Sequence, residues 1–422
     1  MIVNIAPLSL FKNSTWSLID VAIVSLIGFL SNVALARIVG PVNLGLYSYV
    51  VNIASLVVAV ASAGLSTFLL REAVKKPWKT ARYVNAALSI FLFYSIPIVV
   101  ISTTILSIFT SGPAPLEMFL STLFQIEMMF FGFFIMLFIS IGRSDISSIL
   151  NITFKAIFGL ALVWLLIWYK SMVQVSHILL ISCVILVVLI SICGRLYSRL
   201  LNIQFSFRPK FKLYRVYVLS SYPILGAALA EFINLKIDTL MLGNIRGYSE
   251  LGFYTASYTV YMGFTLIALA LTKVFSPVFI RLLKNNKSKA RSFFLKYLGL
   301  NLIYSGVVML FLLVFSENVI QILYGDDYEL SANILMYLAC ALPFINLNRL
   351  VNYSIIGAGG QASYFYYTVI GSMINVCINV WLIPIYGALG AVVATIVTEA
   401  IVLVFGLRFL IRFFNERSRK WS

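Results

Sequence analysis

The chain is poor in charge and in the residues that most enzymes and metal sites use. Only 11% of its 422 residues are charged, and it has one histidine and four cysteines. A soluble domain of this length could not solvate its surface with so few charges. The P-loop, H-E-x-x-H and G-x-S-x-G motifs are all absent from the sequence. We therefore exclude a soluble enzyme of these classes and expect no catalytic residue, no metal and no cofactor.

What the chain has instead is a series of long apolar runs. Hydrophobic residues make up 61% of it, and the mean hydropathy is +1.00. Runs of 18 or more apolar residues predict membrane-spanning helices, because a helix satisfies its own backbone hydrogen bonds in lipid. Twelve are predicted, at about 14–36, 45–70, 83–109, 116–140, 149–169, 175–195, 217–242, 251–280, 297–324, 331–357, 364–386 and 388–411. The predicted fold class is an all-α polytopic membrane protein.

The basic residues lie almost entirely on one side of these spans. The net charge is +17, and 24 of the 31 Lys and Arg residues fall on the side of the N-terminus. This distribution follows the positive-inside rule and argues against nucleic acid as a partner. Both termini are therefore expected in the cytoplasm of a multi-pass inner-membrane protein. The basic connections at about 71–82, 196–216 and 281–296 are expected to meet the headgroups of membrane lipids.

One motif, G-x-x-x-L-G-x-Y, occurs twice, at 40–47 and at 247–254. A repeat 207 residues apart indicates two similar halves. We predict a six-helix lobe at 1–195, a basic cytoplasmic loop at 196–216, a second six-helix lobe at 217–411 and a basic tail at 412–422. Each copy is predicted to make a tight outer turn with close helix approach, its tyrosine at the membrane interface. The turn residues are Gly40, Gly45, Tyr47, Gly247, Gly252 and Tyr254.

Several short segments together carry a family resemblance. They read L-A-R-I-V-G-P at 35–41, I-D-T-L-M-L-G at 237–243, Y-G-D-D-Y at 324–328 and I-P-I-Y-G-A-L-G-A at 383–391, with Lys155, Asn375 and Asn379. In this order they resemble the polysaccharide-biosynthesis flippases, which export O-antigen-type lipid-linked oligosaccharides and belong to the multidrug/oligosaccharidyl-lipid/polysaccharide exporter superfamily. The resemblance implies two pseudo-twofold-related lobes around a central cavity. It also implies an undecaprenyl-diphosphate-linked oligosaccharide as substrate.

We single out nine charged residues inside predicted spans. Each costs about 2.5–3.5 kcal/mol at mid-helix on insertion scales, so it is expected to face a cavity or a partner. The basic ones are Lys155, Lys236, Lys273 and Arg349, and the acidic ones are Asp20, Glu127, Glu231, Asp238 and Glu399.

We expect two roles for these charges. Lys155, Lys273 and Arg349 are candidates to bind the substrate diphosphate, because Arg grips phosphate bidentately. The five carboxylates and Lys236 are candidates for ion coupling, in which a carboxylate takes a proton or cation. The alternative is internal pairing, of Lys155 with Asp20 and of Lys236 with Asp238 or Glu231, while Lys273 and Arg349 extend to the headgroups.

Three tyrosines, Tyr254, Tyr258 and Tyr261, recur at helical spacing and form an aromatic stripe. It is interpreted either as a surface on which the glycan stacks or as helix packing. The repeat offset also pairs Asp238 with Ser31, so charges are not duplicated. A coupling site on these helices would therefore belong to the second half.

The predicted function is a flippase that moves the lipid-linked repeat unit to the outer leaflet for O-antigen, lipopolysaccharide or capsule assembly. A polysaccharide polymerase and a chain-length regulator are possible partners. The alternatives are a cation-coupled multidrug exporter of the same superfamily, a lipid II flippase, a membrane-embedded polymerase or ligase, and a scaffold for glycan assembly. The lack of a large outer loop disfavours the polymerase, and the buried charges disfavour the scaffold.

Overall fold

A computed structural model of the chain describes residues 7–62, 115–140, 143–169, 174–201 and 236–415, with a few isolated positions at 85–104 and 232. Its backbone divides into two compact units. The first comprises Met1–Val39 and Leu46–Leu229, and the second comprises Gly40–Gly45 and Ala230–Ser422. The Gly40–Gly45 segment therefore groups with the second unit, although the sequence analysis placed it in the first lobe.

The described part of the first unit is helical. Its helices are α1 (Pro7–Ser62), α2 (Pro115–Ser140), α3 (Ser144–Tyr169) and α4 (Val175–Leu201). Helices α2, α3 and α4 pack against one another through aromatic and aliphatic side chains, with Phe138 and Tyr197 in edge-to-face contact at 5.7 Å. Arg143 lies outside the spans, and its Nε donates to Asp145 Oδ1 at 3.0 Å. This hydrogen bond raises the pKa of Arg143.

The second unit contains a helical segment at 236–246 and six further α-helices. These are α5 (Tyr248–Asn285), α6 (Lys287–Tyr324), α7 (Glu329–Ala339), α8 (Leu342–Gly357), α9 (Gln361–Tyr386) and α10 (Ala388–Asn415). Between α7 and α8 the chain bends by 49°, as in a broken span or a re-entrant loop.

The predicted all-helical polytopic fold is confirmed. The described residues contain eight helices long and apolar enough to span a membrane, or nine when the bent pair is counted as one. Nearly every predicted span coincides with a described helix. The exceptions are the third span and most of the seventh, which lie outside the described residues. The twelve-span count itself stays a prediction.

The first repeated turn is present as a break in α1. Gly40 has φ 70° and ψ 174°, and its counterpart Gly247 has φ 87° and ψ 175° before α5 begins. This region of backbone conformation is open almost only to glycine. The two halves therefore make the same turn with the same residue.

Three predicted boundaries are corrected by longer helices. The connection at 281–296 is helical except for Asn286, whose side chain accepts from the backbone N of Lys289 at 2.9 Å and caps α6. The first six residues of the predicted loop at 196–216 belong to α4, and residues 412–415 of the predicted tail belong to α10. Hydropathy marks where a helix leaves the lipid, whereas Leu, Lys, Arg and Ala continue the helix into water.

Candidate functional site

Asp238 is the most enclosed of the predicted ion-coupling residues that the structure describes. Only 5% of its surface is exposed. Its Oδ2 accepts a hydrogen bond from the hydroxyl of Tyr254, and its Oδ1 accepts one from the backbone N of Thr239 at 2.7 Å. Tyr254 is the tyrosine of the second repeated motif. It was predicted to lie at the membrane interface, but it is buried inside the protein because Asp238 takes its hydroxyl.

The tyrosine stripe lies beside this carboxylate. The rings of Tyr254 and Tyr258 stack with centroids 5.7 Å apart, and those of Tyr258 and Tyr261 lie 5.7 Å apart at 44°. Tyr254 and Tyr261 are buried, and Tyr258 is half-buried. In this conformation only Tyr258 offers ring surface, so glycan stacking on the stripe stays a prediction.

A small polar cavity opens between these side chains. Its volume is about 20 Å³, which is room for roughly one water molecule. The lining residues come from the 236–246 segment, α5, α8, α9 and α10: Asp238, Tyr258, Tyr261, Ile345, Asn375, Thr395, Thr398 and Glu399. Two carboxylates, two threonine hydroxyls and an amide therefore face one enclosed space. Oxygen-rich surroundings of this kind suit a proton, a water molecule or a small hard cation.

Glu399 is held in place by the amide of Asn348. The Nδ2 of Asn348 donates to Glu399 Oε2 at 2.6 Å and to the Glu399 backbone oxygen at 2.8 Å. Charge-assisted hydrogen bonds of this kind are among the stronger ones. Because α8 supplies the amide and α10 the carboxylate, the contact also joins two helices.

Two further amides continue the polar network along α9. Asn379 donates to the Oδ1 of Asn375 at 2.9 Å, and Asn375 faces the hydroxyl of Thr398 at 3.5 Å. All three are buried. Asn375 and Asn379 were named from the sequence only as part of the resemblance, and Asn348, Thr395 and Thr398 were not predicted. The spacing of Asn375 and Asn379 could have indicated a polar site, because it places both amides on one face of a span.

Arg349 follows Asn348 on α8 and lies next to this cavity. Its Nη1 donates to the backbone oxygen of Thr265 at 2.8 Å, and it interacts electrostatically with Glu399 and Tyr261. It forms no salt bridge with a carboxylate in the described part of the chain. Lys273, half-buried on α5, has neither an ion pair nor a hydrogen bond among the described residues, and no contact brings it to Arg349.

Of the pairings expected in the alternative interpretation, Lys155 with Asp20 and Lys236 with Asp238 form no salt bridge among the described residues. Lys155 has no ion pair in the described residues, and its Nζ lies 5.5 Å from the ring centre of Phe154. Asp20 accepts instead from the Nδ2 of Asn151 at 3.1 Å. Lys236 forms no ion pair within the described ranges either, because Tyr254 and Thr239 bind the Asp238 oxygens. Glu231 lies outside the described residues.

Glu127 lies within the first unit, on α2. Only 7% of its surface is exposed, and Cys183 of α4 lies within hydrogen-bonding reach. Its Oε2 has no hydrogen-bond partner among the described residues. All four cysteines are free. Within the second unit, the structure brings together Asp238, Glu399, Arg349 and the tyrosines without Lys273, whereas Glu127 and Lys155 belong to the first unit.

The two copies of the repeated motif pack on each other within the second unit. A Cβ at Gly45 would overlap the backbone oxygen of Tyr248, and a Cβ at Gly252 would overlap that of Pro41. These contacts are reciprocal, because the 207-residue offset relates Gly45 to Gly252 and Pro41 to Tyr248. Close backbone approach through small residues is typical of membrane helices, so the predicted role in helix approach is seen directly.

Comparison with solved structures identifies the class of fold. The chain is similar to lipid II flippase MurJ in an inward closed conformation, with a TM-score of 0.72 at 15% identity, covering 95% of this chain and 89% of that one. It is also similar to an inward-facing multidrug resistance MATE family transporter of the MOP superfamily, with a TM-score of 0.69 at 14% identity and coverage of 94% and 96%. The fold is therefore that of this transporter superfamily.

Sequence comparison identifies the family. Residues 10–283 match the family described as polysaccharide biosynthesis protein, and residues 223–381 match MatE. The first match covers more than half of the chain, which therefore belongs to the polysaccharide biosynthesis protein family. The capsular polysaccharide biosynthesis protein CapF of Staphylococcus aureus is 25% identical over 239 residues, or 56% of this chain. The chain spans 59% of the length of CapF and 43% of a second relative.

Proposed function

We propose that this protein is a flippase that moves an undecaprenyl-diphosphate-linked oligosaccharide from the cytoplasmic to the outer leaflet of the inner membrane by alternating access. The product would serve surface polysaccharide assembly, as O-antigen or capsule. Membership of the polysaccharide biosynthesis family, similarity to CapF and a fold shared with a lipid II flippase support this proposal. In it the chain is a transporter without a catalytic step, and both termini are cytoplasmic.

The proposal is supported chiefly by three cations inside spans that are half-buried without a salt bridge in the described part of the chain. Lys155, Lys273 and Arg349 are half-buried, and none forms a salt bridge with a carboxylate among the described residues. A cation in lipid is costly, so it normally has a counterion or faces a cavity. A diphosphate would supply the missing negative charge, and Arg349 has guanidinium N–H groups left to donate after its bond to Thr265. We propose that Lys155 in the first unit, and Lys273 and Arg349 in the second, each serve substrate binding.

The cavity at Asp238 and Glu399 is proposed as the coupling site. It is lined by two carboxylates that share a space of about 20 Å³. A buried carboxylate is costly when it is charged, so both are candidates to take up a proton or a small cation. Entry of that ion would reset the transporter after the substrate has left. The proposed partners are the lipid-linked substrate, membrane lipids, a polymerase and a chain-length regulator.

A multidrug exporter is the second candidate, because residues 223–381 match MatE and the cavity is acidic. The two candidates differ in the charge of the substrate. The cations Lys155 and Arg349 suit an anionic lipid diphosphate and would repel a cationic drug. Drug resistance conferred on a sensitive strain without any effect on glycan export would favour the exporter.

The test is complementation of a deletion strain scored for lipid-linked repeat units in the inner leaflet. Lys155→Ala and Arg349→Ala are expected to abolish export at normal protein level. Arg195→Ala is the matched control, because it removes the same charge from an exposed position on α4. Export by both variants at the level of the control would refute the diphosphate site.

A further inference from the structure

The hairpin that joins α5 to α6 forms a strongly basic end of the second unit. This basic hairpin, residues 281–296, carries six cations, of which only Lys287 is not fully exposed: Arg281, Lys284, Lys287, Lys289, Arg291 and Lys296. Arg408 and Arg412 are exposed on the adjoining helix α10. The sequence contains no Asp or Glu between Glu250 and Glu317. The hairpin therefore has no internal carboxylate to neutralise it.

The hairpin is a rigid extension of two long helices. Each has 38 residues and is therefore about 57 Å long at 1.5 Å per residue. A bilayer is only about 40–45 Å thick with its headgroups, so straight spans of this length extend beyond the hydrocarbon. A buried cluster that includes Phe275, Phe279 and Phe294 packs the hairpin against Leu410 of α10. The Nζ of Lys287 lies 4.4 Å from the ring centre of Phe413.

The exposed side chains change from aliphatic to cationic where the hairpin begins. On α6 the exposed residues Leu300, Ile303 and Val307 share a face with Lys296 and Lys289. Val274 and Val278 precede Arg281 in the same way on α5. Only one helical turn, about 6 Å, separates Lys296 from Leu300. The cations therefore lie where acyl chains end and headgroups begin.

We propose that the basic hairpin binds the phosphate of an anionic phospholipid. Arg281 and Arg291 stand five residues on either side of Asn286, so the antiparallel helices bring them to one level. Guanidinium groups at that level can donate paired hydrogen bonds to the oxygens of a phosphate group. The aliphatic side chains beside them would contact the acyl chains of the same molecule. This combination fits a phospholipid better than a soluble anion, and the site is separate from the coupling cavity.

The opposite end of the unit supports this choice. Asp326, Asp327 and Glu329 lie just beyond the end of α6, where α7 begins. Their negative charge would repel an anionic headgroup. Among the described residues, the basic hairpin is therefore the more favourable end of α6 for anionic lipid.

Binding is tested with phosphatidylglycerol and phosphatidylcholine added to purified protein, with retained lipid measured by native mass spectrometry. The test variant is Arg281→Gln/Arg291→Gln. The matched control is Arg37→Gln/Arg246→Gln, which removes two exposed cations that lie outside the basic connections. Each basic residue contributes roughly fivefold to the affinity for anionic membranes. The test variant should therefore bind phosphatidylglycerol about 25-fold more weakly, while the control retains it.

Two further measurements decide the interpretation. Arg281→Lys/Arg291→Lys keeps the charge and should retain most of the binding, and its thermal unfolding beside the wild type shows whether the fold is intact. Phosphatidylglycerol should also raise the apparent Tm of the wild type more than phosphatidylcholine does, since a ligand stabilises the state it binds. Equal losses in the test and control variants, or no preference for phosphatidylglycerol in the wild type, would overturn the proposal.

Discussion

Replacing Gly252 with alanine puts a methyl group into a close contact between two helices. A Cβ built at this position overlaps the backbone oxygen of Pro41 and also approaches the Pro41 carbonyl carbon and Cα. Backbone atoms cannot rotate away as the end of a side chain can. The helices must therefore separate, and the substitution is expected to be destabilising by the mechanism of overpacking.

The size of the effect follows from this contact. Overpacking costs typically about 1–3 kcal/mol, and a clash with backbone belongs at the upper end. For a unit of this size, a loss of about 3 kcal/mol lowers Tm by roughly 6–12 °C. The matched control is Gly306→Ala on α6, where nothing lies within 4 Å of the new Cβ. There alanine should stabilise the helix by about 0.5–1 kcal/mol.

The assay is thermal unfolding of the purified variants in detergent, with export measured in the deletion strain. Gly45→Ala should behave like Gly252→Ala, because its Cβ overlaps Tyr248 in the reciprocal contact. Both substitutions separate the same pair of helices, so the double variant should lose less than the sum of the two. If Gly252→Ala and Gly306→Ala unfold at the same temperature, the contact between Gly252 and Pro41 does not stabilise the helix packing.

Two further predictions concern the polar cavity. Tyr254→Phe should cost about 1–3 kcal/mol, because it removes the hydroxyl donor from a buried carboxylate, whereas Tyr258→Phe should be nearly neutral in the same thermal assay. Equal effects would show that the bond to Asp238 contributes nothing. Asn348→Leu should lower both Tm and export by leaving Glu399 without its amide donor, and adding Glu399→Gln should recover Tm, because a neutral amide costs less to bury. No recovery would mean that Asn348 acts through packing alone.

The helical fold could be predicted from the chain, and the site only in part. Long apolar runs allow one solution in lipid, so the spans follow from hydropathy. The internal turns follow from Gly40 and Gly247, since few other residues adopt their conformation. Hydropathy does not predict the ends of the helices, because Arg281 and Lys296 continue helices beyond the predicted spans. Charge placement showed that Asp238 and Glu399 need partners, but a sequence does not show which. Their side-chain donors are the neutral residues Tyr254, for Asp238, and Asn348, for Glu399, whereas Lys236 was the partner considered for Asp238.

The two halves share the glycine contact of the repeated motif but differ in the charge that they carry nearby. Gly45 and Gly252 keep a reciprocal backbone contact, which requires the same small residue in both copies. Asp238 corresponds to Ser31, which is buried with its hydroxyl close to the point where a Cβ at Gly159 would stand. A carboxylate there would be larger than serine and would need its own donors. The first unit thus uses the position for packing and the second for charge. Ser31→Asp should therefore destabilise the first unit rather than create a second coupling site.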